Sequence, residues 1–250
     1  MDTAMTATRP GPTRFRPEAA ARWLGEALET GNGLAPLPAE IAPRTAAQGA
    51  RVAAAVLAAT GQLACGLRLL RGGESVAGPM IEARLLRDRS PVAISALRHP
   101  RASAALVAVL GADLVPGERT PPEIAALHPA LDIAGSRFTT LPDAAALRIA
   151  DLGELGMVVA GRAAAGGGAL LQGPVPVALG PAAARRPKGA ETVDLAAALA
   201  EAAAAARRWG GLPAGALLVV AGLTPPVVPQ PGEELAASLG PIGRARAVFA

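Results

Sequence analysis

The chain has 250 residues, of which 51% are hydrophobic and 2% aromatic, and its 24 basic and 20 acidic side chains leave a net charge of +4. That is the size of one globular unit, or of one with a small appendage, and it is long enough to bury a core. A mean hydropathy of +0.35 would admit a membrane protein, but about a quarter of the chain is weakly apolar alanine, and the longest uncharged stretch, residues 163–184, contains a triple glycine and Pro174, Pro176 and Pro181. Prolines at that density leave backbone carbonyls unpaired in lipid, so no spanning helix is expected. Residues 1–16 carry Arg9, Arg14 and Arg16 without an apolar run, which gives the expectation of a disordered start and no secretory signal. Cys65 stands alone in the sequence, so an internal disulfide is excluded and a cytoplasmic location is expected. The pI of 10.7 reflects arginine in place of lysine (Lys188 is the only lysine) rather than a large charge excess. With the arginines scattered and aromatic platforms scarce, no nucleic-acid partner is expected.

In chain order, residues 17–30 open on a proline and set Ala21, Leu24, Ala27 and Leu28 on one face, the spacing of an amphipathic helix that stops at Gly31-Asn32-Gly33. A second helix is predicted over Thr45–Thr60, ending at Gly61, and residues 17–62 are read together as a helical N-terminal arm. From residue 63 to 250 the pattern is short apolar runs between glycines and prolines: Gly66–Leu70, Val92–Ala96, Ala102–Leu110, Leu131–Ser136, Met157–Ala160, Val175–Leu179, Leu217–Ala221 and Arg244–Phe249. These are predicted strands. Helical inserts are predicted at Asp143–Asp151 and Thr192–Trp209, the latter from its alanine content. The expected class is α+β, a strand-rich mixed-sheet roll entered through the helical arm.

Elementary chemistry singles out little. There is no Cys/His metal spacing, no phosphate-cradling loop and no serine elbow. Gly166-Gly167-Gly168 reads as a hairpin connection between two strands. His99 and His128 each precede a proline, which places them at loop entries, and neither has an obvious carboxylate partner for acid–base work.

The order of segments is more informative: GLAPLPAEIAP, Gly66-Leu67-Arg68, GPMIEARLL, HPRASAALVAVLGADL, HPALDIAGSR, ADLGELGMVVAG and the final LPAGALLVVAGLTPPVVPQPGEELAASLGPIGRARAVFA. From about Leu34 onward it resembles the 2-keto-4-pentenoate hydratase and 4-oxalocrotonate decarboxylase branch of the fumarylacetoacetate hydrolase superfamily. The resemblance implies that superfamily's C-terminal-domain fold. It also implies a magnesium or manganese ion that chelates the 2-oxo acid end of the substrate and steadies its enol.

Carried over residue by residue, the resemblance places the family's two strand carboxylates at Ser103 and Ala105 and its third metal ligand at Asp132. One carboxylate of three is a poor site for a hard dication, so no metal is expected, and magnesium or manganese only if the site is rewired through Glu74 or Glu82. The active-site lysine position is Arg68, which cannot accept a proton at neutral pH. An aspartate position becomes Gly135 and an asparagine position Leu152, while Ser136, Arg137, Asp151 and Thr224 are kept; Val220 and Ala221 replace a small polar residue and a glycine. The implied candidates are Asp132 as acid or base, with Arg68, Arg137, Ser136, Thr224 and Ser103 holding substrate. Asp132 is equally readable as a strand-end carboxylate satisfied by backbone, and Glu82 as a surface partner of Arg84. Two functions stay open. One is a homologue without the ancestral reaction, a partner subunit or binder of a small 2-oxo acid. The other is a metal-independent or rewired lyase, a hydratase, decarboxylase or isomerase. A homo-oligomer, or a hetero-oligomer with a homologue, is expected by analogy.

Overall fold

The computed structural model describes residues 15–184 and 190–250, so most of the expected disordered start lies outside the described residues. Two sheets carry the molecule. The larger runs in spatial order β2 (Val76–Ile81), β1 (Ala64–Leu70), β10 (Leu217–Ala221), β5 (Arg98–Leu110), β6 (Ile124–Ser136), β7 (Leu155–Ala160) and β3 (Leu85–Arg87). The smaller runs β4 (Pro91–Val92), β12 (Arg244–Phe249), β11 (Glu234–Leu239), β8 (Val175–Pro181) and β9 (Glu191–Val193). Both are mixed, because β1 pairs with β10, β3 with β7 and β4 with β12 in parallel while the other pairs are antiparallel. The expected α+β mixed-sheet roll is the fold found.

Side-chain alternation sorts the larger sheet into two cores. On β5, Ala102, Ala104, Leu106 and Ala108 face a core shared with the smaller sheet (Leu235, Ala237, Phe249) and with α4 (Leu195–Arg208). Ala105 and Val107 face the opposite way, toward α1 (Pro17–Thr30) and α2 (Ala46–Thr60), where they meet Leu24, Val52 and Val56. Helices α1 and α2 follow their predicted bounds because their signals are local, whereas α4 starts at Leu195 and not at the predicted Thr192, because Thr192 and Val193 belong to β9. Pro17 opens α1 and left-handed Gly31 closes it. Thr45 accepts from the Gln48 N–H at 3.2 Å to cap α2, and Asp194 caps α4 through the Ala197 N–H at 2.9 Å. The insert at 143–151 shrinks to α3, Ala145–Ala150. Among the described residues no helix is long and apolar enough to cross a membrane.

Several expectations are corrected. The run Val92–Ala96 pairs only at Pro91–Val92 and then turns into a 3-10 helix at Ile94–Ala96. Gly166-Gly167-Gly168 does not close a hairpin: β7 and β8 belong to different sheets, and the glycines lead into a 3-10 turn, Gly167–Leu171, on the crossover. His99 and His128 lie within β5 and β6, not at loop entries. A proline after a histidine is tolerated in β5 because the strand carries a register shift between Arg98 and Arg101.

Candidate functional site

Cross-strand partners share a face, so the pairings Arg68 with Val219, Val219 with Val107, and Ser103 with Asp132 put Arg68, Ser103, Ala105 and Asp132 on the helix-covered side of the larger sheet. There Arg68 and Asp132 meet directly. Arg68 Nε donates to Asp132 Oδ1 and Nη2 to Oδ2, both at 2.5 Å, and Nη1 donates to the Gly153 carbonyl at 2.7 Å. The two side chains are 1% and 0% exposed. This is a bidentate fork, in which one planar cation engages both oxygens of one carboxylate away from water.

The Gly153 carbonyl reaches Arg68 through an unusual backbone. Leu152, Gly153 and Glu154 are consecutive left-handed residues, at φ 55°, 65° and 60°. A side chain at Gly153 would come within 2.9 Å of the Gly78 Cα, so β2 and this turn touch backbone to backbone. Left-handed leucine is costly, whereas the asparagine that the resemblance implies at 152 tolerates that region. Here burial of Leu152 in the helix-side core holds it instead.

The same turn carries two more charged clusters. Fully buried Asp151 accepts from Ser136 Oγ at 2.7 Å and from Arg137 Nε at 2.5 Å, and Arg137 also donates to the carbonyls of Leu155 and Asp151. Burial pushes the Asp151 carboxyl up, against the downward pull of the Arg137 charge and of these hydrogen bonds. Glu154, 1% exposed, accepts from Arg148 Nε and Arg101 Nη2, each at 2.9 Å. Burial raises its carboxyl, but the Arg148 hydrogen bonds and the charges of Arg148, Arg101 and Arg68 outweigh that and hold it below the usual carboxylate range.

The predicted residues therefore do not share one cavity. Ser103 and Thr224 line a cleft of about 320 Å³ with Arg71, Glu74, Arg101 and Arg148. Ser136 and Arg137 line a second cleft, of about 440 Å³. Arg68 and Asp132 line neither. In the first cleft Ser103 Oγ accepts from the Gly222 N–H at 3.0 Å and Thr224 Oγ1 from the Ala104 N–H at 3.1 Å, which leaves both hydroxyl protons to donate. Arg101 Nε is buried without a partner. The arginines that share this cleft with Ser103 and Thr224 are thus Arg71, Arg101 and Arg148, the last two both paired with Glu154, and not Arg68 or Arg137. Sequence reasoning missed all three, although Arg101 lies two residues before Ser103 on β5 and so shares its face.

The residues present do not fit the metal that the resemblance implies. Ser103 offers a neutral hydroxyl, Ala105 is a fully buried methyl, and both Asp132 oxygens are bound by Arg68. Among the described residues no three Asp, Glu, His or Cys side chains gather as a metal group. Glu74 lies on the wall of the first cleft, while exposed Glu82 forms no ion pair with Arg84. The two histidines are tied to backbone, His99 Nε2 to the Thr139 carbonyl at 2.9 Å and His128 Nδ1 to the Gly161 carbonyl at 3.0 Å. A carbonyl only accepts, so each of those nitrogens carries the proton.

No protein-family model matches the sequence, and no curated protein matches it. Solved structures do. The chain is similar to 4-oxalocrotonate decarboxylase from Pseudomonas putida G7 complexed with magnesium and adipate, with a TM-score of 0.74 and 19% identity over 94% of this chain and 97% of that one. The same enzyme complexed with calcium and acetate gives a TM-score of 0.72 at 19% identity and the same coverage. 2-Hydroxyhepta-2,4-diene-1,7-dioate isomerase from Mycobacterium marinum gives 0.53 at 11% identity, over 74% of this chain and 73% of that one. The shared feature is the fold, and the solved structures that share it include a decarboxylase and an isomerase.

Proposed function

We propose that this chain is a member of the hydratase–decarboxylase branch that binds a small carboxylate, of the 2-oxo acid class, without a metal ion and without the ancestral reaction. The observation that carries this reading is the Arg68–Asp132 fork. It supplies an internal cation for the one carboxylate left of the implied metal site, and engages both Asp132 oxygens in charged hydrogen bonds that favour the ionised form over taking up a proton. A carboxylate in the 320 Å³ cleft would instead meet Arg101, with its unpartnered Nε, and the hydroxyls of Ser103 and Thr224. Cytoplasmic location and assembly with itself or with an active homologue belong to the same proposal.

The test is calorimetry with pyruvate in the presence and absence of EDTA, together with elemental analysis. The expected result is binding that ignores EDTA, is lost in Arg101→Ala, and comes with no stoichiometric magnesium or manganese. One magnesium per chain, or metal-dependent hydration of 2-hydroxypenta-2,4-dienoate, would overturn it. Light scattering and co-purification test the assembly: a lone monomer that recovers no homologue removes the partner-subunit role. A second reading, a metal-independent lyase or isomerase, rests on Glu74, a carboxylate on the cleft wall that could move a proton. Turnover without metal that is lost in Glu74→Gln would favour it.

A further inference from the structure

The second cleft, of about 440 Å³, is lined by Arg84, Arg98, Arg137, Ser95, Asn32 and the last turn of α1, and no acidic residue lines it. Its arginines are not equivalent. Arg137 is neutralised by Asp151. Arg84 and Arg98 form no ion pair among the described residues, and the hydrogen bond of Arg98 is a long one, Nη2 to the Gly31 carbonyl at 3.4 Å. Burial, with the like charge of Arg137 added, holds the Arg84 guanidinium below its usual range. A half-buried guanidinium beside other cations, with no carboxylate, is an electrostatic deficit that an anion would remove.

The backbone is built to hold Arg98 there. His99 sits at φ 51°, a left-handed conformation rare outside glycine, and its ring is fixed to the Thr139 carbonyl. That kink coincides with the register shift of β5 between Arg98 and Arg101. It lays the Arg98 guanidinium over Gly33, where a Cβ would come within 2.9 Å of Arg98 Cζ. The C-terminal turn of α1 brings about half a unit of negative charge, which two unpaired guanidiniums outweigh.

We propose that this cleft is a site for a phosphate group, as the free dianion or on a small ester, held by Arg84 and Arg98 with Ser95 and Asn32 completing its hydrogen bonds. Two unpaired cations match a dianion better than a monocarboxylate, and the volume leaves room for an organic substituent on the phosphate. The site is independent of the carboxylate cleft, with which it shares no lining residue.

Calorimetry of the full chain with orthophosphate at pH 7.5 and constant ionic strength tests it. The expected result is one site per chain, weakened about tenfold or more in Arg98→Ala and in Arg84→Gln, in keeping with loss of a charged hydrogen bond. Excess pyruvate should leave phosphate binding unchanged, and acetate should not displace it. Circular dichroism and the thermal midpoint establish that each variant is folded, and Arg98, being exposed, is the variant least exposed to that objection. No binding at millimolar phosphate, equal binding in both folded variants, or displacement by acetate would overturn the proposal.

Discussion

Arg68 and Asp132 are two charges removed from water, and their mutual attraction repays that cost only while both are present. Removing one leaves the other buried and uncompensated, so Arg68→Ala should lower unfolding stability by about 3–5 kcal/mol. The double change Arg68→Met with Asp132→Leu should recover most of that loss, because it removes both desolvation terms. Urea titration of the two variants checks this, and a double variant as unstable as the single one would count against it. Glu154 gives a pH prediction with a definite sign. Its folded-state proton affinity lies below the ordinary value, so its contribution is complete above about pH 4.3. It is lost as pH falls from there through the lower folded value. Glu154→Gln should therefore flatten the acid limb of stability below about pH 4.3, readable as urea midpoints between pH 3 and 6. At this scale the sequence singled out Arg68 and Asp132 as departures from a pattern. Their pairing across 64 residues was not readable, because nothing local distinguishes a guanidinium that faces a cavity from one that faces its own carboxylate. Arg101, Arg148 and Glu154 escaped notice for a related reason: they look like ordinary surface charges until the left-handed turn at 152–154 folds Glu154 inward between the arginines.

Helix α2 packs against α3 at Gly49, where a Cβ would come within 2.4 Å of the Ala146 carbonyl oxygen. Alanine there would favour the isolated helix by about 1 kcal/mol, yet overlap with backbone cannot be relieved by a rotamer change. Gly49→Ala should thus be a net loss of about 1–3 kcal/mol. Gly25→Ala in α1 meets only the Thr60 Cγ2 methyl at 3.3 Å and should lose less. Thermal denaturation of the two variants decides, and the reverse order would refute the packing argument. The elements differ in how far their sequences announce them. The helices α1, α2 and α4 were legible because period and caps are local. Strand β2 was not: Val76–Ile81 contains Gly78-Pro79 and is buried at every position, so it shows neither alternation nor an uninterrupted apolar run. Strand β11 stayed hidden within a segment whose clearest signal was the Pro231-Gly232 turn before it.

Viewed whole, the molecule is two sheets with one core between them and a second under the helices, both built from apolar side chains. Addition of EDTA or of magnesium should leave the thermal midpoint unchanged, since a ligand stabilises only what binds it. A midpoint raised by magnesium would contradict the reading of Arg68 as the resident cation. The strand order carries a consequence for how the chain folds. Strands β5 and β6 pair as antiparallel neighbours close in sequence, but β1 joins them only through β10, where Gly66 lies beside Leu217. Residues 217–221 are thus a keystone, inserted between the β1–β2 pair and the β5–β6 block, both of which precede it in the chain. Pairings of such long sequence separation form late and slowly. In the larger sheet only this keystone joins the strands that carry Arg68 and Asp132. The dehydration of the buried pair is therefore expected to accompany the insertion of that keystone, which makes the two one cooperative event.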